Sequence, residues 1–183
     1  MKRSKSLTLA LMSASVLSIA ACDDPQDVAI FENVDQCSST EGFSRDSCEV
    51  NLRQAQFEHI RVAPKYNTRA DCEADFGAEQ CEVAPQTTTT GGSVFMPLMM
   101  GYMMGSMLGG NRGGISTQPL YRSVDDGKTF RTGDNRKVGS KTGVSKASGR
   151  ILRAPSTKTR TVRRGGFGAS AARMGGGYRS VGG

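Results

Sequence analysis

A chain of 183 residues with only 33 Leu, Ile, Val and Phe has little material for one continuous core, since well-cored globular chains draw about 20% or more from these four. Tryptophan is absent, and 21 of the 23 glycines lie after residue 90. This composition excludes a single large aliphatic core spanning the chain. It also argues against a conventional enzyme scaffold, which must hold its site rigidly.

Lys2, Arg3 and Lys5 precede a stretch without charge from Leu7 to Ala21. Its length suits a signal-peptide core and falls short of a membrane span. It ends Leu17-Ser18-Ile19-Ala20-Ala21-Cys22. A branched apolar residue, two small residues and then cysteine form the bacterial lipoprotein cleavage pattern; an ordinary secretory signal is the alternative. The expectation is removal of residues 1–21 and acylation of Cys22, because several acyl chains hold a protein on a bilayer where one does so only marginally. Asp23 and Asp24 come next, and aspartate at that place favours inner-membrane retention in enteric bacteria. The chain is thus expected in the cell envelope, lipid-anchored and facing the periplasm.

With Cys22 assigned to lipid, Cys37, Cys48, Cys72 and Cys81 remain. An even number in an exported chain points to two disulfides, with three connectivities open. Cys37–Cys48 with Cys72–Cys81 is preferred because both close short loops. A metal site is the competing reading, but there is no CxxC and His59 is the only histidine.

Charge divides the chain. Residues 22–85 carry 14 acidic and 5 basic side chains; residues 86–183 carry 3 acidic and 16 basic. The acidic part has helix signals: Asn33 with Gln36 around Cys37, Asp46 with Glu49 opening a helix to about Val62, and Thr68 with Asp71 opening another that Gly77 can close. Cys48, Leu52 and Ala55 share one side of the middle helix. The expected division is an acidic linker at 22–27, a small disulfide-stapled helical domain at 28–85, a polar linker at 86–93, an apolar segment at 94–110 and a basic tail at 111–183.

The segment 94–110 has no charge, and Met96, Met99, Met100, Met103, Met104 and Met107 recur at i, i+3, i+4, i+7, i+8 and i+11. On a helix all six fall on one face, with Gly101, Gly105 and Gly109 opposite. Four readings stay open: a helix packed on a partner or in the interior, a short membrane-inserted or interfacial segment, a Cu(I) site of soft thioethers, or an unstructured stretch. Phe95, the six methionines and the three glycines are the candidate contact residues for a protein partner or the membrane.

Only 11 of the 73 residues from 111 onward are Leu, Ile, Val or Phe. Pro119-Leu-Tyr-Arg and Thr129-Phe-Arg, around Asp125-Asp126-Gly127, can make one hairpin; the rest reads as disordered. Arg163, Arg164, Arg173 and Arg179 are candidate contacts for anionic lipid or cell-wall polymer. The Arg-Gly-Phe pattern resembles nucleic-acid-binding tails, yet an exported chain meets little nucleic acid, so none is expected as a partner. No nucleophile stands in a supporting motif, His59 reads as a surface or partly packed residue, and neither an enzyme nor a cofactor is expected.

The motifs Ala63-Pro-Lys-Tyr66, Thr68-Arg-Ala-Asp-Cys72, Phe76-Gly77, Gln80-Cys81, Phe95-Met-Pro-Leu-Met99, Gly101-Tyr-Met-Met-Gly105, Gln118-Pro-Leu120 and Arg164-Gly-Gly-Phe-Gly168 together resemble the YgiB family of uncharacterised bacterial lipoproteins. That resemblance implies an exported lipoprotein of unknown activity and supplies no catalytic residues. The expected fold is mostly α: a small disulfide-stapled helical domain, a Met/Gly-rich apolar helix and a largely disordered basic tail.

Overall fold

Val28-Ala-Ile-Phe31 is an unbroken apolar run, and every one of the four is fully buried. A run of that kind suits a strand covered on both faces. In the computed structural model, which describes residues 25–87, 91–105, 117–157, 161–162, 165–169 and 171, it belongs to β1 (Pro25–Phe31), an inner strand of a six-stranded sheet. Helices α1 (Val34–Ser38) and α2 (Arg45–Val62) follow, then β2 (Lys65–Tyr66), α3 (Arg69–Phe76), β3 (Cys81–Thr87), β4 (Ser93–Pro97) and β5 (Gly101–Gly105). The remaining strands are β6 (Gln118–Ser123), β7 (Asp126–Arg131), β8 (Lys137–Gly139), β9 (Gly143–Ser148) and β10 (Thr161–Val162).

The expected mostly helical fold is overturned: strands carry the architecture. One sheet has the order β8-β7-β6-β5-β1-β9, antiparallel throughout. The second has the order β10-β2-β4-β3. Within its described residues, 94–105, the Met/Gly segment is no helix either. It forms β4 in one sheet and β5 in the other, with Leu98–Met100 crossing between them. Nor is the basic part without structure, since four strands of the six-stranded sheet come from it.

Strand alternation explains the packing. Val28, Ile30 and Met103 face one side with Leu120, Phe130 and Ile151, while Ala29, Phe31, Tyr102 and Met104 face the other beneath Cys37, Cys48 and Ala55. A third cluster, with Tyr66, Phe76, Met96, Tyr121 and Phe167, lies by the second sheet. One small core is thus largely aliphatic, with Val28, Ile30, Leu120 and Ile151, while Tyr, Phe, Met, Ala and cystine build most of the other two. The charge boundary is not a folding boundary: β9 pairs with β1 in the register Asp27↔Lys146, and Lys146–Asp27 and Arg122–Glu32 join the two halves at 2.9 and 3.0 Å.

The local signals are mostly where the sequence puts them. Asn33 caps α1 by accepting from the Gln36 N–H, and Thr68 caps α3 by accepting from the Asp71 N–H. For α2 the cap is Ser44, two residues before the expected Asp46. Cysteines bond as Cys37–Cys48, tying α1 to α2, and Cys72–Cys81, tying α3 to β3. Pro119 to Arg131 forms the β6–β7 hairpin.

Candidate functional site

α2 turns a continuous stripe inward: Cys48, Ala55, His59 and Val62 are buried at i, i+7, i+11 and i+14. His59 therefore lies in the interior, 7% exposed. Its Nδ1 is 2.8 Å from the Tyr121 hydroxyl on β6, and its Nε2 is 3.2 Å from Glu82 Oε1 on β3. Glu82 accepts only, so Nε2 carries the proton and donates to it, leaving Nδ1 to accept from Tyr121. The result is a wire from a fully buried phenol, through a neutral imidazole, to a carboxylate whose side chain is 44% exposed.

The electrostatics support that protonation. Burial lowers the pKa of His59 against the opposing pull of Glu82. Burial, with Glu82 nearby, pushes the Tyr121 phenol well up, so it stays a donor. Beside them Lys65 donates from Nζ to the Ile60 carbonyl at 2.9 Å and to Met96 Sδ at 3.3 Å, and burial brings its pKa down to about 8.

A second buried centre adjoins this one. The Asp75 carboxyl, on α3, accepts from the Tyr66 hydroxyl at 2.8 Å, the Gly165 N–H at 2.8 Å and the Phe167 N–H at 3.2 Å. The Phe167 ring lies 4.8 Å from Phe76 and 6.2 Å from Tyr121, centroid to centroid. Asn135 adds a reciprocal pair to the backbone of Gly168, both contacts at 3.0 Å. Residues 165–168 are thus strapped against the third cluster, by the second sheet.

Chemically, the wire can hold and pass a proton between Tyr121 and the Glu82 surface. Both nitrogens of His59 are occupied by protein groups, so a substrate would have to displace one of them. The wire has a consequence for stability. His59 has a lowered pKa in the folded chain, so between that value and the ordinary 6.5 the unfolded chain binds more protons, and stability rises with pH through that window. Urea midpoints should fall as pH drops from 7.5 to 5, and His59→Gln should flatten that part of the slope.

The sequence reading set His59 aside as a surface or partly packed residue, and it found neither its burial nor its partners. The signal for its burial was present, because His59 is in helical phase with Cys48, Leu52 and Ala55. Tyr121 lies 62 residues away and carries no local signal. The methionine ladder is dispersed: Met96, Met103 and Met104 enter three different clusters, and Met99 packs against the cluster that holds Met104. Met100 and Phe95 are half-buried and Gly101 and Gly105 buried. Among the described residues, Met96, Met99, Met100, Met103 and Met104 share no helical face. Cys22, Asp23, Met107, Gly109, Arg163, Arg164, Arg173 and Arg179 lie outside the described residues. Among the described residues, no group of three or more His, Cys, Asp or Glu could hold a metal ion, and no helix is long and apolar enough to cross a membrane.

A family model described as a protein of unknown function, DUF1190, matches residues 25–176. The chain belongs to the DUF1190 family. Relatives of this DUF1190 chain are UPF0441 proteins of Serratia proteamaculans, 36% identical over 182 residues, and of Erwinia tasmaniensis, 35% identical over 188. Each match covers 91% of this chain, with 82% of the Serratia protein and 81% of the Erwinia one. A UPF0441 protein of Sodalis glossinidius is 34% identical over 180 residues, covering 91% of this chain and 82% of its own length. No solved structure matches the DUF1190 chain. These names state an uncharacterised family; the YgiB label is not among them.

Proposed function

We propose that this chain is an envelope lipoprotein of the YgiB type, acylated at Cys22 and facing the periplasm, which acts by binding a protein partner rather than by catalysis. The observation that carries the reading is the pairing of all four cysteines after Cys22 into two disulfides. Stable structural disulfides belong to oxidising compartments, and their pairing leaves Cys22, at the end of its signal-like segment, as the odd thiol. The binding role is supported by His59, whose nitrogens are both committed to the fold. In this reading Asp23 directs inner-membrane retention, and Arg163, Arg164, Arg173 and Arg179 meet anionic lipid or cell-wall polymer.

The test is metabolic labelling with palmitate and fractionation of the wild type and Cys22→Ser. The wild type is expected to take up label and sediment with membranes, while Cys22→Ser loses the label and at least about tenfold of its membrane-bound share, as loss of an effectively stable anchor requires. Equal membrane association of an unlabelled wild type and the variant overturns the reading.

A further inference from the structure

Two neighbouring features of the interior share one side chain. The Tyr121 hydroxyl meets His59 Nδ1 at 2.8 Å, and the Tyr121 ring lies 6.2 Å from that of Phe167, centroid to centroid. Phe167 belongs to the strap 165–168, so the wire ends on a ring that the strap helps to cover.

Protonation of His59 changes what Tyr121 can do. In the neutral imidazole Nδ1 accepts the phenol proton; in the imidazolium both nitrogens donate. Nε2–H keeps its bond to Glu82, now assisted by charge. Nδ1–H then points at the phenol oxygen, and the phenol proton loses its acceptor. Tyr121 is fully buried, and its hydroxyl has no other partner among the described residues, so the orphaned donor destabilises the closed structure.

The surrounding groups do not relieve it. Lys65 on β2, cationic through the acid range with a pKa of about 8, opposes a second cation beside it. Glu82 on β3 already holds Nε2. Glu58 and Arg61 of α2 pair with each other, and Asp35 of α1 pairs with Arg45 near the start of α2. Arg131 on β7, opposite Tyr121 in the register, pairs with Asp126. Asp75 on α3 is engaged by Tyr66 and the strap. β5 brings only the Tyr102 phenol, and β4 no titratable group.

The phenol reaches water only if something moves. Moving β6 would break its ladders with β5 and β7. Lifting the strap breaks the bonds to Asp75 and Asn135 and withdraws the Phe167 ring. We infer that residues 165–168 form an acid-released latch: protonation of His59 orphans the Tyr121 hydroxyl, and the strap lifts from Tyr121, Phe76 and Asp75. The latch is closed at pH 7.5 and opens toward pH 5, because His59 resists protonation while covered and takes it up once uncovered.

The experiment exposes the full chain to a protease that cuts before phenylalanine at pH 7.5 and pH 5. Cleavage at Phe167 is read by mass spectrometry and divided by that of a free peptide of residues 161–171 at the same pH. The ratio is expected to rise at least about fivefold, against a ceiling of about thirtyfold for one histidine returning to its ordinary value. Cleavage at Phe31, buried in β1, should not rise with it. His59→Gln should hold the Phe167 ratio within about twofold, since an amide takes up no proton in this range. Tyr121→Phe, which keeps the ring and has no hydroxyl to orphan, should flatten it as well and decides the matter if His59→Gln does not fold. No rise in the wild type, an equal rise at Phe31, or an undiminished rise in the folded variants overturns the latch.

Discussion

Replacing Asp75 with alanine is expected to cost about 4 kcal/mol of folding stability, because two buried donors and one partly buried donor lose their shared acceptor and each orphaned donor costs about 1–3 kcal/mol. The donors are the Tyr66 hydroxyl and the N–H groups of Gly165 and Phe167. Against a typical total of about 5–15 kcal/mol this is a large share. The loss should fall on the strap: limited proteolysis should cut near residue 165 in the variant before it cuts the sheet. Tyr66→Phe removes one donor cleanly and is expected to cost only about 1 kcal/mol. Denaturant midpoints of the three proteins, with matching cleavage patterns, check the ordering. A variant as stable as the wild type would show that Asp75 does not hold the C-terminal segment.

The second large effect is steric. Gly133 lies in the β7–β8 connection, and a β-carbon there would collide with the carbonyl oxygen of Val62 and approach its carbonyl carbon to 3.1 Å. Both are backbone atoms at the end of α2, so no rotamer change relieves the contact. Gly133→Ala is expected to lose about 3 kcal/mol, the upper range for overpacking. Gly127→Ala is the control, since the nearest atom to its β-carbon would be 3.9 Å away, and it should stay within about 0.5 kcal/mol. Urea unfolding of both variants decides the matter; equal midpoints would mean that the connection yields freely.

These two sites show why the sequence was legible in patches. Asn33, Thr68 and the short cysteine spacings act over 3 to 11 residues, and such signals can be read along a chain. The methionine spacing misled because i, i+3, i+4 also fits two strands joined by Leu98-Met99-Met100, and nothing local separates the two. The tail read as disordered because its own aliphatic residues are few. Its order comes from elsewhere: β9, Gly-Val-Ser-Lys-Ala-Ser, is held by an apolar strand more than a hundred residues earlier. Phe167 likewise finds its cavity only where Phe76 and Tyr121 meet. For the candidate site, His59 was read as a surface or partly packed residue, although its helical phase with the buried stripe carried the opposite signal. Tyr121, Glu82, Lys65 and Asp75 were ordinary residues until folding brought them together.

The placement of β1 between β5 and β9 also sets an order of events during synthesis. The two disulfide loops, with separations of 11 and 9 residues, can close soon after their residues emerge. β1 must wait: Asp27 meets Lys146 only once the intervening 118 residues have followed. Closing so distant a pair is slow compared with local pairing, and meanwhile Val28-Ala-Ile-Phe31 stands open on both edges. A nascent chain of this protein therefore passes through a stage with its staples made and its most apolar strand uncovered, the stage at which a holding chaperone would matter most.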